Sequence, residues 1–388
     1  MVVSPDNNTA QAHIETRDHA PMNALAPAVT RGGSGNNFGT LRIAFALLVI
    51  IGHAPELIDG NRERDFLVRM TGNAFSGDLA VDGFFLISGY LITKSAGSSR
   101  SLTGYIGKRI ARIYPGFIAA FIVSLLLFGT LSGGSISDVP VVKSAVKLFS
   151  LGLPVLPGSF AGLPHPDLNG SMWTISYEFR CYLLAIGIAF ISTKARRPYF
   201  LAVITGFSVL YFYRDALPDI PHGSAIFGGS AATIRLTFIF LVGSAYYIWR
   251  DVIFLTRRGA VVALTACTAF LFVPPLAEPA FAIFGGYLIF WYALARPANP
   301  LSRWIDRTDP TYGVYLYAWP IQNLIIQTIP NVMPLTLIAL TLPIAFCFAL
   351  LSWHCVERSF LRPKSRPFPE LLSNPDRYST APMHRPRL

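Results

Sequence analysis

Residues 311–353 read TYGVYLYAWPIQNLIIQTIPNVMPLTLIALTLPIAFCFALLSW and contain no charged side chain. Pro330, Asn331 and Pro334 interrupt this stretch near its middle, which is typical of a turn between two helices. Each half is close to the roughly 20 residues that an α-helix needs to cross a hydrocarbon core of about 30 Å. The stretch therefore predicts two membrane-spanning helices joined by a short turn.

The composition of the whole chain agrees with a membrane protein. Of its 388 residues, 52% are hydrophobic and 14% are charged, whereas a typical soluble domain has roughly 25% charged residues. The net charge of +11 comes from short basic groups between apolar stretches. We therefore expect no nucleic-acid partner, which would need a basic face on a polar domain. The four cysteines lie within or beside apolar segments, as buried hydrophobic residues do, and predict no disulfides.

Ten apolar segments predict an all-α, polytopic membrane protein with about ten transmembrane helices. With the N-terminus in the cytoplasm, the inner loops hold 19 Lys and Arg residues and the outer loops hold seven. Because positive charge concentrates in cytoplasmic loops, both termini are predicted to be cytoplasmic. We predict a disordered N-terminal tail at residues 1–37, a transmembrane domain at 38–362 and a flexible C-terminal tail at 363–388. The ten segments are 41–58, 79–95, 113–131, 172–192, 199–213, 234–249, 259–275, 279–295, 311–329 and 332–353.

The first segment carries two basic side chains on one predicted helix face. Arg42 and His53 are eleven residues apart, and eleven steps of 100° end only 20° beyond three full turns, about 16 Å along the axis. Glu56 follows His53 by three residues on a neighbouring face. Ionisable groups inside a membrane are costly and are therefore candidate functional sites. A snorkelling Arg42 and a hydrogen-bonded core His53 would also satisfy the pattern.

The second segment contains a further intramembrane acid. Asp82 lies in the outer part of an otherwise apolar helix, and its cost there favours a functional role. Ser88 and Gly89 would let another backbone or a ligand approach closely, although ordinary helix packing through small residues explains them equally well.

Glu178 lies about a third of the way into the fourth segment, with Tyr182 one turn beyond it. A buried carboxylate needs a partner, and Arg180 points to a different helix face. We therefore expect Glu178 to meet a group from another helix, such as His53, or a bound substrate. A purely structural ion pair is the alternative.

A basic group, Lys108, Arg109 and Arg112, stands at the predicted cytoplasmic start of the third segment. Arg109 and Arg112 share a helix face by their spacing, and arginine forks suit phosphate. The group is therefore either a plain positive-inside anchor or a receptor for a polyanionic ligand from the cytoplasm.

Six sequence features in this order resemble the membrane-bound acyltransferase-3 family, which includes bacterial O-acetyltransferases that modify exopolysaccharide, lipopolysaccharide O-antigen and Nod factors. They are the Arg42–His53 pair, GFFLISGYLIT (83–93), KRIARIYP (108–115), WTISYEF (173–179), DPTYGVYLYAWP (309–320) and SWHCVERSF (352–360). One departure is Ala318, where many members of the family have a histidine before the residue that matches Trp319.

The resemblance implies a ten-helix domain that moves an acyl group from cytoplasmic acyl-CoA to a carbohydrate hydroxyl. It implies that Arg42 and His53 are the essential pair of the family, with His53 carrying the chemistry, and that Arg109 and Arg112 belong to a motif associated with acyl-CoA. The same motifs contribute further candidate substrate or structural positions, which are Trp173, Tyr182, Tyr312, Trp319, Glu357 and Arg358.

We therefore predict a multi-pass O-acyltransferase of the bacterial inner membrane. Acetyl-CoA would be the co-substrate, with no bound cofactor or metal, and the partners would be the lipid bilayer and a carbohydrate acceptor. His53 would act as a general base or as an acyl relay, oriented by Glu56 or Glu178. The pantetheine arm of the donor would reach His53 through a channel that begins at the basic group. The acceptor would enter near Asp82 and the proline- and glycine-rich outer loop 132–171, an irregular segment that could form a mouth or lid.

A proton-coupled transporter is the alternative function. In it, Arg42, His53, Asp82 and Glu178 would form a proton relay through the helix bundle.

Overall fold

The computed structural model describes residues 35–99, 101–191, 193–219 and 229–361. Every element within these ranges is helical, which confirms the predicted all-α fold for this part of the chain. The predicted C-terminal tail at 363–388 lies outside the described residues, as do residues 1–34 of the predicted N-terminal tail.

Capping residues and prolines mark the start of several helices. Ser101 and Thr256 accept hydrogen bonds from first-turn amides at two helix starts, and Pro334 opens a third helix at a position where its missing N–H costs nothing. We number the helices in chain order: α1 Phe38–Asp59, α2 Phe66–Thr71, α3 Ser76–Ser98, α4 Leu102–Leu131, α5 Val141–Phe149, α6 Ile175–Phe190, α7 Thr193–Tyr213, α8 Ser230–Ile248, α9 Arg257–Leu271, α10 Pro274–Leu294, α11 Pro300–Thr308, α12 Thr311–Thr328 and α13 Pro334–Leu361.

Six of these helices are long and apolar enough to cross a membrane, namely α1, α3, α4, α8, α10 and α13. The other four predicted spans are also helices, but α6 and α9, for example, have only 16 and 15 residues, roughly 24 and 22 Å at 1.5 Å per residue. The described chain is thus a membrane protein with six candidate spans. Ten crossings and cytoplasmic termini stay predictions.

Helix α3 lies at the centre of the bundle and packs against α1, α6, α8 and α10. Its contact with α8 is a close approach of two backbones. A Cβ atom added to Gly89 would lie 2.1 Å from the Phe240 carbonyl oxygen, and one added to Gly243 would lie 2.1 Å from that of Leu86. The Ser244 hydroxyl donates to the Gly89 carbonyl across the same contact, at 3.2 Å. Gly89 therefore has a packing role, which the sequence left as one of two alternatives.

We expect Gly89→Ala to destabilise the protein, because a methyl group at this position overlaps a backbone oxygen that cannot move alone. Overpacking in a core typically costs about 1–3 kcal/mol. Gly97→Ala is the matched control on the same helix, since nothing lies within 4 Å of an added Cβ there. Thermal unfolding in detergent measures both variants, and equal midpoints would contradict the close contact.

Candidate functional site

A cavity of about 470 Å³ runs along α3 between α4, α6 and α12. On α3 its lining extends from Ser95 to Val81, which are roughly 21 Å apart at 1.5 Å per residue. We call the end near Ser95 the basic end, because four basic side chains line it. It reaches the surface beside the exposed residues Lys108 and Phe360. The four basic residues are Arg42, Lys108, Arg109 and Arg112.

The middle of the cavity contains a carboxylate. Glu178 accepts hydrogen bonds from the Ser88 hydroxyl of α3, at 3.2 Å, and from the Tyr182 hydroxyl one turn away, at 2.5 Å. Its partner from another helix is therefore Ser88, while His53, the partner named as an example from the sequence, lies elsewhere.

Arg109 lies at the basic end and packs on the ring of Tyr182, the tyrosine that donates to Glu178. Its guanidinium lies 5.6 Å from the ring centroid of Tyr105 and 5.7 Å from that of Tyr182. Its buried Nε has no hydrogen-bond partner among the described residues. An arginine held by aromatic rings but not engaged by an acid is well suited to bind an anion.

The second arginine of the motif has a different environment. Arg112 forms an ion pair with Asp309, which sits in the left-handed conformation at the C-cap of α11. Burial alone would raise the pKa of the Asp309 carboxyl, but Arg112 and then Arg42 hold that pKa below its usual value. The Tyr312 hydroxyl donates to the Ile113 carbonyl at 3.2 Å in the same region. This contact joins the KRIARIYP and DPTYG motifs.

The last motif reaches this region through the C-terminal turns of α13. Glu357 is buried and accepts a hydrogen bond from Ser352 at 2.9 Å. An added Cβ on Gly116 would lie 3.0 Å from the Glu357 carboxyl carbon and 2.8 Å from the Tyr312 ring, so a glycine lets α4 approach both. Arg358, its neighbour in the motif, is exposed.

His53 lies at the opposite end of α1 from Arg42, and we call this the loop end. Its Nδ1 is 2.7 Å from Glu56 Oε2, and Arg62 Nε donates to Glu56 Oε1 at 2.6 Å. The ring packs edge-on against Phe75 and Trp319, with centroids 5.2 and 5.4 Å apart. Because a carboxylate accepts the proton on Nδ1, the neutral imidazole presents a lone pair on Nε2. Of the two predicted orienting acids, Glu56 is the one in contact.

The cavity does not extend to the imidazole as the sequence led us to expect. Arg42 lines it, but His53 is not among its lining residues. At its inner limit Thr174 and the Tyr315 hydroxyl are hydrogen-bonded at 2.8 Å, and the Phe84 ring packs against Tyr315 with centroids 5.9 Å apart. Trp319, which touches His53, follows Tyr315 by one helical turn, about 6 Å. Tyr315 and Phe84 thus form an aromatic layer that lines the end of the cavity, one helical turn short of the Trp319 ring that packs on His53.

Asp82 belongs to a different group of charges. It is fully buried and lies 2.7 Å from Arg235 of α8, whose Nε is 3.1 Å from Glu278 of α10. Asp82 does not line the cavity. These two ion pairs, which share Arg235, link three helices in a way that the pattern of a single helix cannot predict. Trp173, from the WTISYEF motif, packs on Tyr177 with centroids 5.4 Å apart.

Sequence reasoning missed His165, which lies in the loop 132–171 that the sequence predicts to face outward. Its Nε2 lies 3.7 Å from Glu56 Oε1, and its ring lies 6.1 Å from that of Trp319. The only sequence signal was the proline-rich loop around it, which predicted a mouth or lid without naming a residue. Over the described ranges, no group of three or more His, Cys, Asp or Glu is placed to hold a metal ion.

Comparisons with known proteins identify the family. The acyltransferase-3 family, described as an acyltransferase domain, matches residues 36–354. An O-acetyl transferase of Shigella phage Sf6 is 28% identical over 347 residues, which cover 84% of this chain and 96% of that protein.

Two further relatives match shorter parts of the chain. Nodulation protein 10 of Rhizobium leguminosarum bv. viciae is 29% identical over 39% of this chain and 43% of its own length, and the acyltransferase MdmB of Streptomyces mycarofaciens is 32% identical over 28% and 27%. No solved structure matches the chain at comparable significance. The family match spans most of the sequence, the bundle is apolar and helical, and the chain therefore belongs to the acyltransferase-3 family and is an O-acyltransferase of a membrane.

Proposed function

We propose that this protein is an O-acetyltransferase of the bacterial inner membrane that transfers acetyl from cytoplasmic acetyl-CoA to a hydroxyl of a carbohydrate. The observation that carries the proposal is a cavity with a basic end, in a member of an acyltransferase family. The name of the phage relative, an O-acetyl transferase, supports the choice of acyl group and bond.

The donor would occupy the cavity from its basic end. The volume of 470 Å³ falls in the usual range of small-molecule pockets, about 300–1,000 Å³. The apolar walls suit an acetyl group and a pantetheine arm, and the nucleotide phosphates would remain at Lys108 and Arg109. Glu178 offers an acceptor within the cavity to the amide N–H groups of the arm.

The chemistry would take place at His53. The unprotonated Nε2 removes the proton of the acceptor hydroxyl, while the hydroxyl oxygen forms a bond to the thioester carbonyl carbon. The carbon–sulfur bond then breaks, and the CoA thiolate takes the proton from the imidazolium, which Glu56 stabilises at 2.7 Å. The products are an acetyl ester and CoA with a free thiol. The acceptor would enter at the loop end, where His53 is partly exposed.

A covalent relay is the second route. Nε2 of His53 would attack the thioester, release CoA and carry the acetyl group until the acceptor hydroxyl displaces it. Incubation of purified protein with labelled acetyl-CoA, without acceptor, distinguishes the routes. A trapped acetyl-enzyme that is lost in His53→Gln supports the relay, and its absence supports direct transfer.

We expect His53→Ala to lower kcat by at least about 10²-fold, the usual loss on removing a general acid–base group, and a larger loss if the imidazole is also the relay. Free CoA released by purified protein with acetyl-CoA and polysaccharide measures the rate. His354→Ala is the matched control, because this histidine is exposed on α13. Substantial activity in folded His53→Ala would exclude the assignment. A proton-coupled transporter would release no CoA in either protein.

We expect Arg109→Ala to raise KM for acetyl-CoA roughly 10- to 150-fold with kcat little changed, since a lost charge-assisted hydrogen bond typically costs about 1.5–3 kcal/mol. Lys143→Ala is the charge-matched control, because Lys143 is exposed on α5, outside the cavity lining. Steady-state kinetics at several salt concentrations check the result. An unchanged KM with an altered unfolding midpoint would mean that Arg109 only packs on its two tyrosines.

A further inference from the structure

The outer loop is fixed to the bundle at His165 by contacts with α12. Asn323 donates a side-chain hydrogen bond to the His165 carbonyl at 2.9 Å, and Trp319 Nε1 donates to the Asp167 carbonyl at 3.1 Å. Two residues further on, Asn169 donates to the Leu316 carbonyl at 2.8 Å. Three contacts along five residues of the loop fix the backbone that carries His165, and the ring itself packs against Trp319.

His165 faces the same groups as His53. The two imidazoles approach different oxygens of Glu56, His53 at Oε2 and His165 at Oε1, and both pack edge-on against Trp319. The loop thus brings a second imidazole to the loop end of the site. No motif of the sequence contains His165.

The His165 side chain is partly exposed to solvent and partly buried against the site. The side chain is 31% exposed, yet its Nε2 is buried and has no hydrogen-bond partner among the described residues. A buried nitrogen without a partner costs free energy unless water or a ligand satisfies it. Nε2 faces the loop end, from which the proposed acceptor arrives.

Glu56 does not supply the missing partner. At 3.7 Å its Oε1 is beyond hydrogen-bond distance from His165. The same carboxylate already has close contacts with Arg62 at 2.6 Å and His53 at 2.7 Å. Glu56 is therefore satisfied without His165, and the nitrogen remains available to a third group.

We infer that His165 binds the carbohydrate acceptor through a hydrogen bond between its Nε2 and a hydroxyl next to the one that is acylated. This inference rests on the proposed function. Sugar hydroxyls occur as neighbouring pairs, so one can be held by His165 while the other meets Nε2 of His53. His165 is thus an acceptor-binding residue, and the bond-making steps stay with His53.

Binding and turnover together test the inference. The probe is surface polysaccharide isolated from cells that lack the gene, with purified full-length protein in detergent. For His165→Ala we expect Kd and KM for this polysaccharide to rise about tenfold, as for loss of one buried hydrogen bond. The kcat at saturation and KM for acetyl-CoA should stay within about twofold of wild type. His165→Gln, whose amide retains a donor and an acceptor at similar reach, should recover most of the affinity.

The control and the outcomes separate the possible failures. Asp138→Ala, at an exposed position of the same loop, should bind polysaccharide like wild type. A fall in kcat with unchanged polysaccharide affinity would overturn the inference, because His165 would then act through Glu56. Unchanged binding and kinetics in His165→Ala would overturn it as well. If wild type binds the polysaccharide but releases no CoA, the proposed function fails, while the binding comparison still tests His165.

Discussion

A hydrocarbon core offers no partner to an ionised group, so each buried charge in this bundle has to be met by the protein. Glu56 is met by His53 and Arg62, and Asp82 is met by Arg235. Each pairing fixes a side chain whose geometry would otherwise be free. The same constraint gives the His53 ring a defined orientation. Because the Glu56 carboxylate needs a hydrogen-bond donor, it favours a proton on Nδ1 of His53.

The fold separates two chemical environments along one helix. Arg42 at the start of α1 lines the cavity, and His53, eleven residues later, lies at the loop end beside Trp319. In the proposed reaction the donor binds in the cavity and the acceptor binds at the loop end, so α1 would connect the two binding regions. The close contact of α3 with α8 at Gly89 supports it, because α3 forms one wall of the cavity along most of its length.

Helix periodicity and hydropathy can predict the structural features that are determined within a single segment of the chain. They predicted the helical fold and the nearness of Glu56 to the imidazole, which are both confirmed, whereas the shared face of Arg42 and His53 stays a prediction. They could not predict that Glu178 meets Ser88, or that Asp82 pairs with Arg235, because these contacts depend on which helices become neighbours. His165 was still harder to predict from the sequence, since a loop without periodicity carries no signal about which helix it will contact.

The aromatic layer of Tyr315 and Phe84 at the end of the cavity bears on the order of the proposed reaction. On the path along α12, a thioester moving from the cavity to the imidazole would pass Tyr315 and Phe84, which pack against each other beside Thr174 at the end of the cavity. Direct transfer needs this layer open while the acceptor is already bound, so both sides of the membrane would be connected through one protein. In a relay the layer opens only until the acetyl group is on His53, and it can close before the acceptor reacts. Of the two routes, the relay therefore requires the aromatic layer to be open for the shorter part of the reaction.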